Sequence, residues 1–160
     1  MISGVGLLLS SARGFCQHRW IWGIFRDKEG QFRGAFAKNV EALSAIDAEV
    51  LAVIEALRIA WVKRWAHIWL ETDSMLVVQY FKNPKLVPWR LRIAWSNCLF
   101  FTHTIHFRVS HTFREGNAVA DALANHGALN AGYRWWDDLP SFIAGHYGRD
   151  QSSMFYYRFC

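Results

Sequence analysis

Apolar residues recur along this chain with two periods, and the switches between them divide it into elements. Residues 20–25 are aromatic and β-branched and read as a strand. Asp27-Lys28-Glu29-Gly30 has the composition of a turn, with a glycine able to take positive φ. Residues 31–36 then alternate, with Phe32, Gly34 and Phe36 on one face and Arg33 and Ala35 on the other, which predicts a β-hairpin. From Ser44 the period lengthens. Ile46, Val50, Val53, Leu57 and Trp61 follow at helical spacing, and the helix runs to about Lys63. Ser44 is a good N-cap, and Asp47 three residues later resembles a capping box. Residues 67–70 are a short apolar run, read as a buried strand. Residues 74–81 form a short helix that Asn83-Pro84 ends. Pro88 opens a second helical stretch over 89–101. Residues 104–110 alternate again, with Ile105, Phe107 and Val109 facing one way and His106 and Arg108 the other.

Two ends of the chain have weaker patterns. Residues 4–9 fit a strand or a short buried segment, and 10–14 a loop. Asn117 caps a helix from 118 to about 129, after a polar loop at 114–117. Residues 133–160 are aromatic with little periodicity and are expected to cover the surface as irregular structure. A hairpin followed by strands separated by helices predicts an α/β fold, with helices on the faces of a mixed sheet.

Composition narrows the class. The chain of 160 residues is 52% hydrophobic and 19% charged, which excludes a disordered segment and gives one domain with a core. The formal net charge of +5 suits a polyanionic partner without demanding one. The three cysteines, Cys16, Cys98 and Cys160, are widely spaced, so reduced thiols and an intracellular location, nucleus or cytoplasm, are expected. No apolar run approaches a membrane span, and the run from Val5 to Leu9 is short for a signal peptide. A monomer with no membrane partner is the expectation.

The candidate chemistry is acidic. Glu49 borders the apolar face of the first helix, next to Val50 and four residues from Val53. Asp73 ends the central strand, where α/β proteins place chemistry. Asp121 lies between Ala120 and Ala122 in the last helix. Carboxylates from separate elements meeting at one sheet edge suit Mg²⁺ or Mn²⁺, which prefer oxygen ligands. Two such ions activate water and stabilise the leaving oxygen of a phosphodiester. His111, ending the last strand, would move protons there. Plainer readings stay open beside this one. Glu49 suits a solvated helix border, Asp73 an N-cap, Asp121 the positive end of a helix, and His111 a surface loop. Trp20, Trp22, Trp61, Trp65 and Trp69 fit stacking platforms for bases, but at these spacings they fit a core better.

Four motifs carry a family resemblance. They are residues 24–32 (Ile-Phe-Arg-Asp-Lys-Glu-Gly-Gln-Phe), 48–52 (Ala-Glu-Val-Leu-Ala), 70–74 (Leu-Glu-Thr-Asp-Ser) and 110–124, with Ser110-His111-Thr112-Phe113-Arg114-Glu115-Gly116-Asn117 leading into Ala120-Asp121-Ala122-Leu123-Ala124. In this order they resemble the ribonuclease H fold, in its plant retroelement type. The tail matches as well, in Trp135-Trp136-Asp137-Asp138-Leu139-Pro140 and in Tyr157-Arg158-Phe159. The resemblance implies a mixed five-stranded sheet with an antiparallel hairpin and flanking helices. It implies a metal-dependent endonuclease that hydrolyses the RNA strand of RNA–DNA hybrids. Carried across by motif, Glu49, Asp73 and Asp121 are metal ligands for Mg²⁺ or Mn²⁺, and His111 joins them as a catalytic residue. The nucleic-acid partner implied is the hybrid itself.

The chain departs from the family at its front. The family's first strand carries an Asp-Gly pair whose Asp is the central metal ligand. That Asp falls near Leu9 or Ser10, and residues 6–14 contain no acid. The implied division is a divergent segment at 1–19, the ribonuclease H-like domain at 20–130, and an aromatic tail packed on it at 131–160. Two functions follow: a working hybrid ribonuclease, or an inactive domain of retroelement origin that binds nucleic acid or protein.

Overall fold

The alternation in the first half of the chain builds a sheet. In the computed structural model, residues 5–13, 18–112, 122–123, 126, 132–145 and 147 are described. β1 (Val5–Arg13), β2 (His18–Asp27) and β3 (Phe32–Glu41) pair antiparallel in succession. β1 also pairs in parallel with β4 (His67–Thr72), and β4 in parallel with β5 (His106–His111). β6 (Tyr133–Trp136) adds antiparallel to β3, so the order is β5-β4-β1-β2-β3-β6. The expected mixed five-stranded sheet is present, and a short sixth strand from the tail extends it.

Two local expectations are corrected here. Residues 10–13 continue β1 and do not form a loop, since β2 supplies their partners as far as Arg13 opposite Arg19. Residues 133–136 are a strand, and 141–145 are helical. Trp135 packs against one core and Trp136 against the other. Four residues are too few for that alternation to register as a period.

The hairpin differs from simple alternation. Phe25 faces Gly34, but the next pair is Arg26 with Phe32, so Arg33 is an extra residue. Such a bulge reverses the faces that follow it. Phe36 therefore packs on Phe25, with ring centroids 6.2 Å apart, while Phe32 meets Tyr147 on the opposite face. Gly34 has φ +147°, and a Cβ there would lie 2.3 Å from the Trp135 ring. Only glycine fits both the dihedral and the space.

Between β3 and β4 runs α1 (Ala45–Val62). Ser44 caps it, its Oγ accepting the Asp47 N–H at 3.2 Å. The reciprocal half of a capping box is not made by Asp47. Its carboxylate instead accepts from Arg90 Nη2 at 2.8 Å. Ala48, Ala52, Ala56 and Ala60 repeat every fourth residue and are buried, letting the helix approach the sheet closely. Val50, Val53 and Leu57 fill the space beside them, each contributing about 2 kcal/mol by burial. Trp61, expected in this stripe, is 58% exposed, because Ala60 takes the last sheet-facing position. Arg64, at φ 56°, ends the helix and turns Trp65 back onto Phe25 at 4.9 Å. Trp20, Trp22 and Trp65 are core residues, as their spacing suggests.

α2 (Met75–Lys82) and α3 (Arg92–His103), joined by short helical turns at Pro84–Leu86 and Trp89–Leu91, complete this layer. The opposite face of β2 and β3, with Trp20, Trp22, Ile24, Ala35 and Ala37, is covered by Leu123, Ile143 and Tyr147. Among the described residues no helix is long and apolar enough to cross a membrane.

Candidate functional site

Strand directions decide which residues share an end. β1, β3, β4 and β5 run the same way, because β3 is antiparallel to β2, β2 to β1, and β4 and β5 are parallel to β1. β3 therefore hands over to α1 at the end where β4 and β5 finish. Glu49, in the second turn of α1, belongs to that end. So does Asp73, the residue after β4, and so does His111, the last of β5. His111 is the register partner of Thr72, and the Thr112 N–H donates to the Thr72 carbonyl at 2.9 Å. All three candidates are half-buried. Asp121 lies outside the described residues.

Local hydrogen bonding separates Asp73 from one of its alternatives. The cap of α2 is Ser74, whose Oγ accepts from the Val77 N–H at 3.4 Å. Thr72 Oγ1 in turn accepts from the Ser74 N–H at 3.1 Å. The turn is thus held by two hydroxyls, and the Asp73 carboxylate is not used as the helix cap.

The register also bears on the missing acid. Leu9, one of the two positions near which that Asp would fall, pairs with Thr72, the residue before Asp73. β1 reads Val-Gly-Leu-Leu-Leu-Ser-Ser-Ala-Arg and offers no carboxylate. Among the described residues no group of three or more His, Cys, Asp or Glu could hold a metal ion. Glu49 and Asp73 are oxygen donors of the kind a hard divalent cation takes, and neither Leu9 nor Ser10 is a charged donor.

Arg90 had no signal in the sequence, because its partner Asp47 is 43 residues away. The pair joins the turn at Trp89–Leu91 to the first turn of α1, two residues before Glu49. At the other end of the sheet, Gln31, Phe32, Asp137, Asp138 and Tyr147 line a hollow of about 410 Å³. It lies beside the β2–β3 turn, away from the strand ends.

With this geometry established, known proteins place the chain. Residues 4–127 match the family described as Reverse transcriptase-like. Over 124 residues the chain is 32% identical to an Arabidopsis thaliana protein named "Putative ribonuclease H protein", across 76% of this chain and 20% of that one. The chain thus spans about a fifth of that relative's length. RNase H1 of Halobacterium salinarum superposes with a TM-score of 0.65 at 25% identity, over 79% of this chain and 98% of its own. LC11-RNase H1, crystallised with an RNA/DNA hybrid, superposes at 0.66 with 20% identity, over 76% and 94%.

Proposed function

We propose, for a chain that belongs to the Reverse transcriptase-like family of ribonuclease H fold, that it binds RNA–DNA hybrids at the C-terminal ends of β4 and β5. Hydrolysis of the RNA strand is the activity of that site, and the lack of an acid at Leu9 or Ser10 holds it far below its capacity. The observation that carries this reading is the convergence of Glu49, Asp73 and His111 on one end of the sheet. β1 reaches the same end at Leu9, the register partner of Thr72.

Glu49 and Asp73 are the residues that would hold Mg²⁺ or Mn²⁺, with Asp121 joining them. Such an ion, when bound, supplies an activated water and a counter-charge for the leaving oxygen. The His111 imidazole accepts or returns a proton at a ring nitrogen as the product leaves. Neither Leu9 nor Ser10 brings a charge to that end of β1. The loss of one bridging carboxylate costs about a thousandfold in rate. Binding of hybrid depends on the basic chain and survives this loss.

The test is cleavage of a labelled hybrid with Mg²⁺ or Mn²⁺ by the native chain, by Leu9→Asp and by Ser10→Asp. One of the two Asp variants is expected to cut about a thousandfold faster than the native chain, with hybrid affinity within a few-fold of native. Silence of all three proteins, with binding retained, would leave a hybrid-binding domain without catalysis. Absence of binding in all three would overturn the reading.

A further inference from the structure

We infer that the outward face of β4 and β5 is a second nucleic-acid contact, a stacking platform for a single strand that trails from the strand ends. This rests on the nucleic-acid reading above and extends it to a surface the reading does not use. Ile68, Leu70 and Thr72 of β4 turn into the core beneath α1. The alternate residues face the other way and form three rungs with β5: His67 with His106, Trp69 with Arg108, and Glu71 with Ser110. The His67 and His106 rings stack with centroids 4.6 Å apart and planes 15° from parallel. The Arg108 guanidinium lies 4.7 Å from the centre of the Trp69 ring. Trp69 Nε1 donates to Ser110 Oγ at 2.7 Å, which fixes the ring across the two strands.

His67, His106 and Arg108 are exposed, and Trp69 is half-buried. β5 is an edge of the sheet. Flat rings set on a strand face, with a guanidinium among them, match what a single strand presents. Bases stack on aromatic rings, and phosphates pair with cations. Arg108 supplies a fixed positive charge, and Arg64, exposed in the turn before β4, adds another near the His67 end. Glu71 is the one acid on the three rungs, and it stands nearest Asp73, away from the imidazole stack. At about 3.3 Å per residue, Trp69 is some 13 Å from Asp73 along the strand. A strand leaving the hybrid would cross this distance within a few nucleotides.

The experiment compares a blunt RNA–DNA hybrid with the same hybrid carrying a short single-stranded RNA extension. Binding is read by fluorescence anisotropy in EDTA, for the native chain and for the triple variant His67→Ala, His106→Ala, Arg108→Gln. These side chains are exposed, so the variant folds, which circular dichroism checks. The extension is expected to tighten native binding about tenfold, with that gain lost in the variant while blunt-hybrid affinity stays within about twofold. Blunt binding with no gain from the extension would overturn the platform and leave the hybrid reading standing. A gain kept by the triple variant would also overturn it. Binding of single-stranded RNA alone, lost in the variant, with no blunt-hybrid binding, would keep the platform and sink the hybrid reading. A dimer in light scattering that the variant abolishes would assign the face to a second copy of the chain and overturn the proposal.

Discussion

The β2–β3 turn and the C-terminal ends of β4 and β5 hold their carboxylates at different depths. At the turn, Asp27 is buried. Its oxygens accept from the Glu29 and Gln31 amides at 3.0 and 2.9 Å, and from Arg33 at 3.0 and 2.7 Å. Burial pushes the Asp27 carboxyl up, but the Gln31 amide, the Arg33 guanidinium and the Glu29 amide overcome it and hold it below its ordinary value. Glu55 follows the same rule in mid-helix. Burial raises it, while Arg58 and Lys38 bring it lower than usual. At the strand ends, Glu49 and Asp73 are only half-buried. The contrast teaches that depth of burial does not mark chemistry. A deeply buried carboxylate persists where cations and amides saturate it, and saturated oxygens have little left for a ligand.

The sharpest way to break this contrast is to remove one acid from each region. In whichever of the Leu9→Asp and Ser10→Asp backgrounds cleaves hybrid, Asp73→Asn should lower cleavage about a thousandfold and leave stability within about 1 kcal/mol. Asp27→Ala should do the reverse. It should cost about 3 kcal/mol in urea unfolding, from two amides and a guanidinium left without their acceptor, and cleavage per folded molecule should hold. If Asp73→Asn unfolds the chain as Asp27→Ala does, the two regions are not different in kind.

A smaller effect should follow acid. Asp27 and Glu55 are both lowered in the folded state. Their stabilisation is therefore fully present above the unfolded carboxyl pKa of about 4, and is lost as pH falls through the lower folded values. The urea midpoint should hold steady down to about pH 5 and drop below about pH 4. Asp27→Asn should make that drop shallower; an unchanged slope would remove Asp27 from the account.

The smallest change belongs to a position outside both regions. Arg64 takes φ 56° at the end of α1. Arg64→Gly should relieve that conformation and raise stability by about 0.5 kcal/mol, with cleavage untouched. A loss of stability would mean that the arginine side chain outweighs its backbone cost.

Much of this fold is legible from pattern. The helix from Ser44 to about Lys63 emerges at Ala45–Val62, and the hairpin strands emerge where alternation marks them. What pattern misreads has a physical cause in each case. Phe32 lands on the other face because the extra residue Arg33 cannot be seen in an alternating run. Residues 10–13 join β1 because β2 supplies partners, whatever their own weak propensity. Asp47 reads as half of a capping box, since nothing nearby announces Arg90. The candidate site is legible in its motifs, Glu49, Asp73 and His111. That Leu9 pairs with Thr72, the residue before Asp73, is known only from the strand register.

The sequence by itself determined the family, the α/β class and the order of elements, because period and short motifs are local properties that each segment carries alone. The tertiary structure decided which acids are structural. Asp27, Glu55 and Asp47 are answered by Arg33, Lys38 and Arg90 at separations of 6, 17 and 43 residues. A charge is neutralised by what lies near it in space, and only folding brings those partners together.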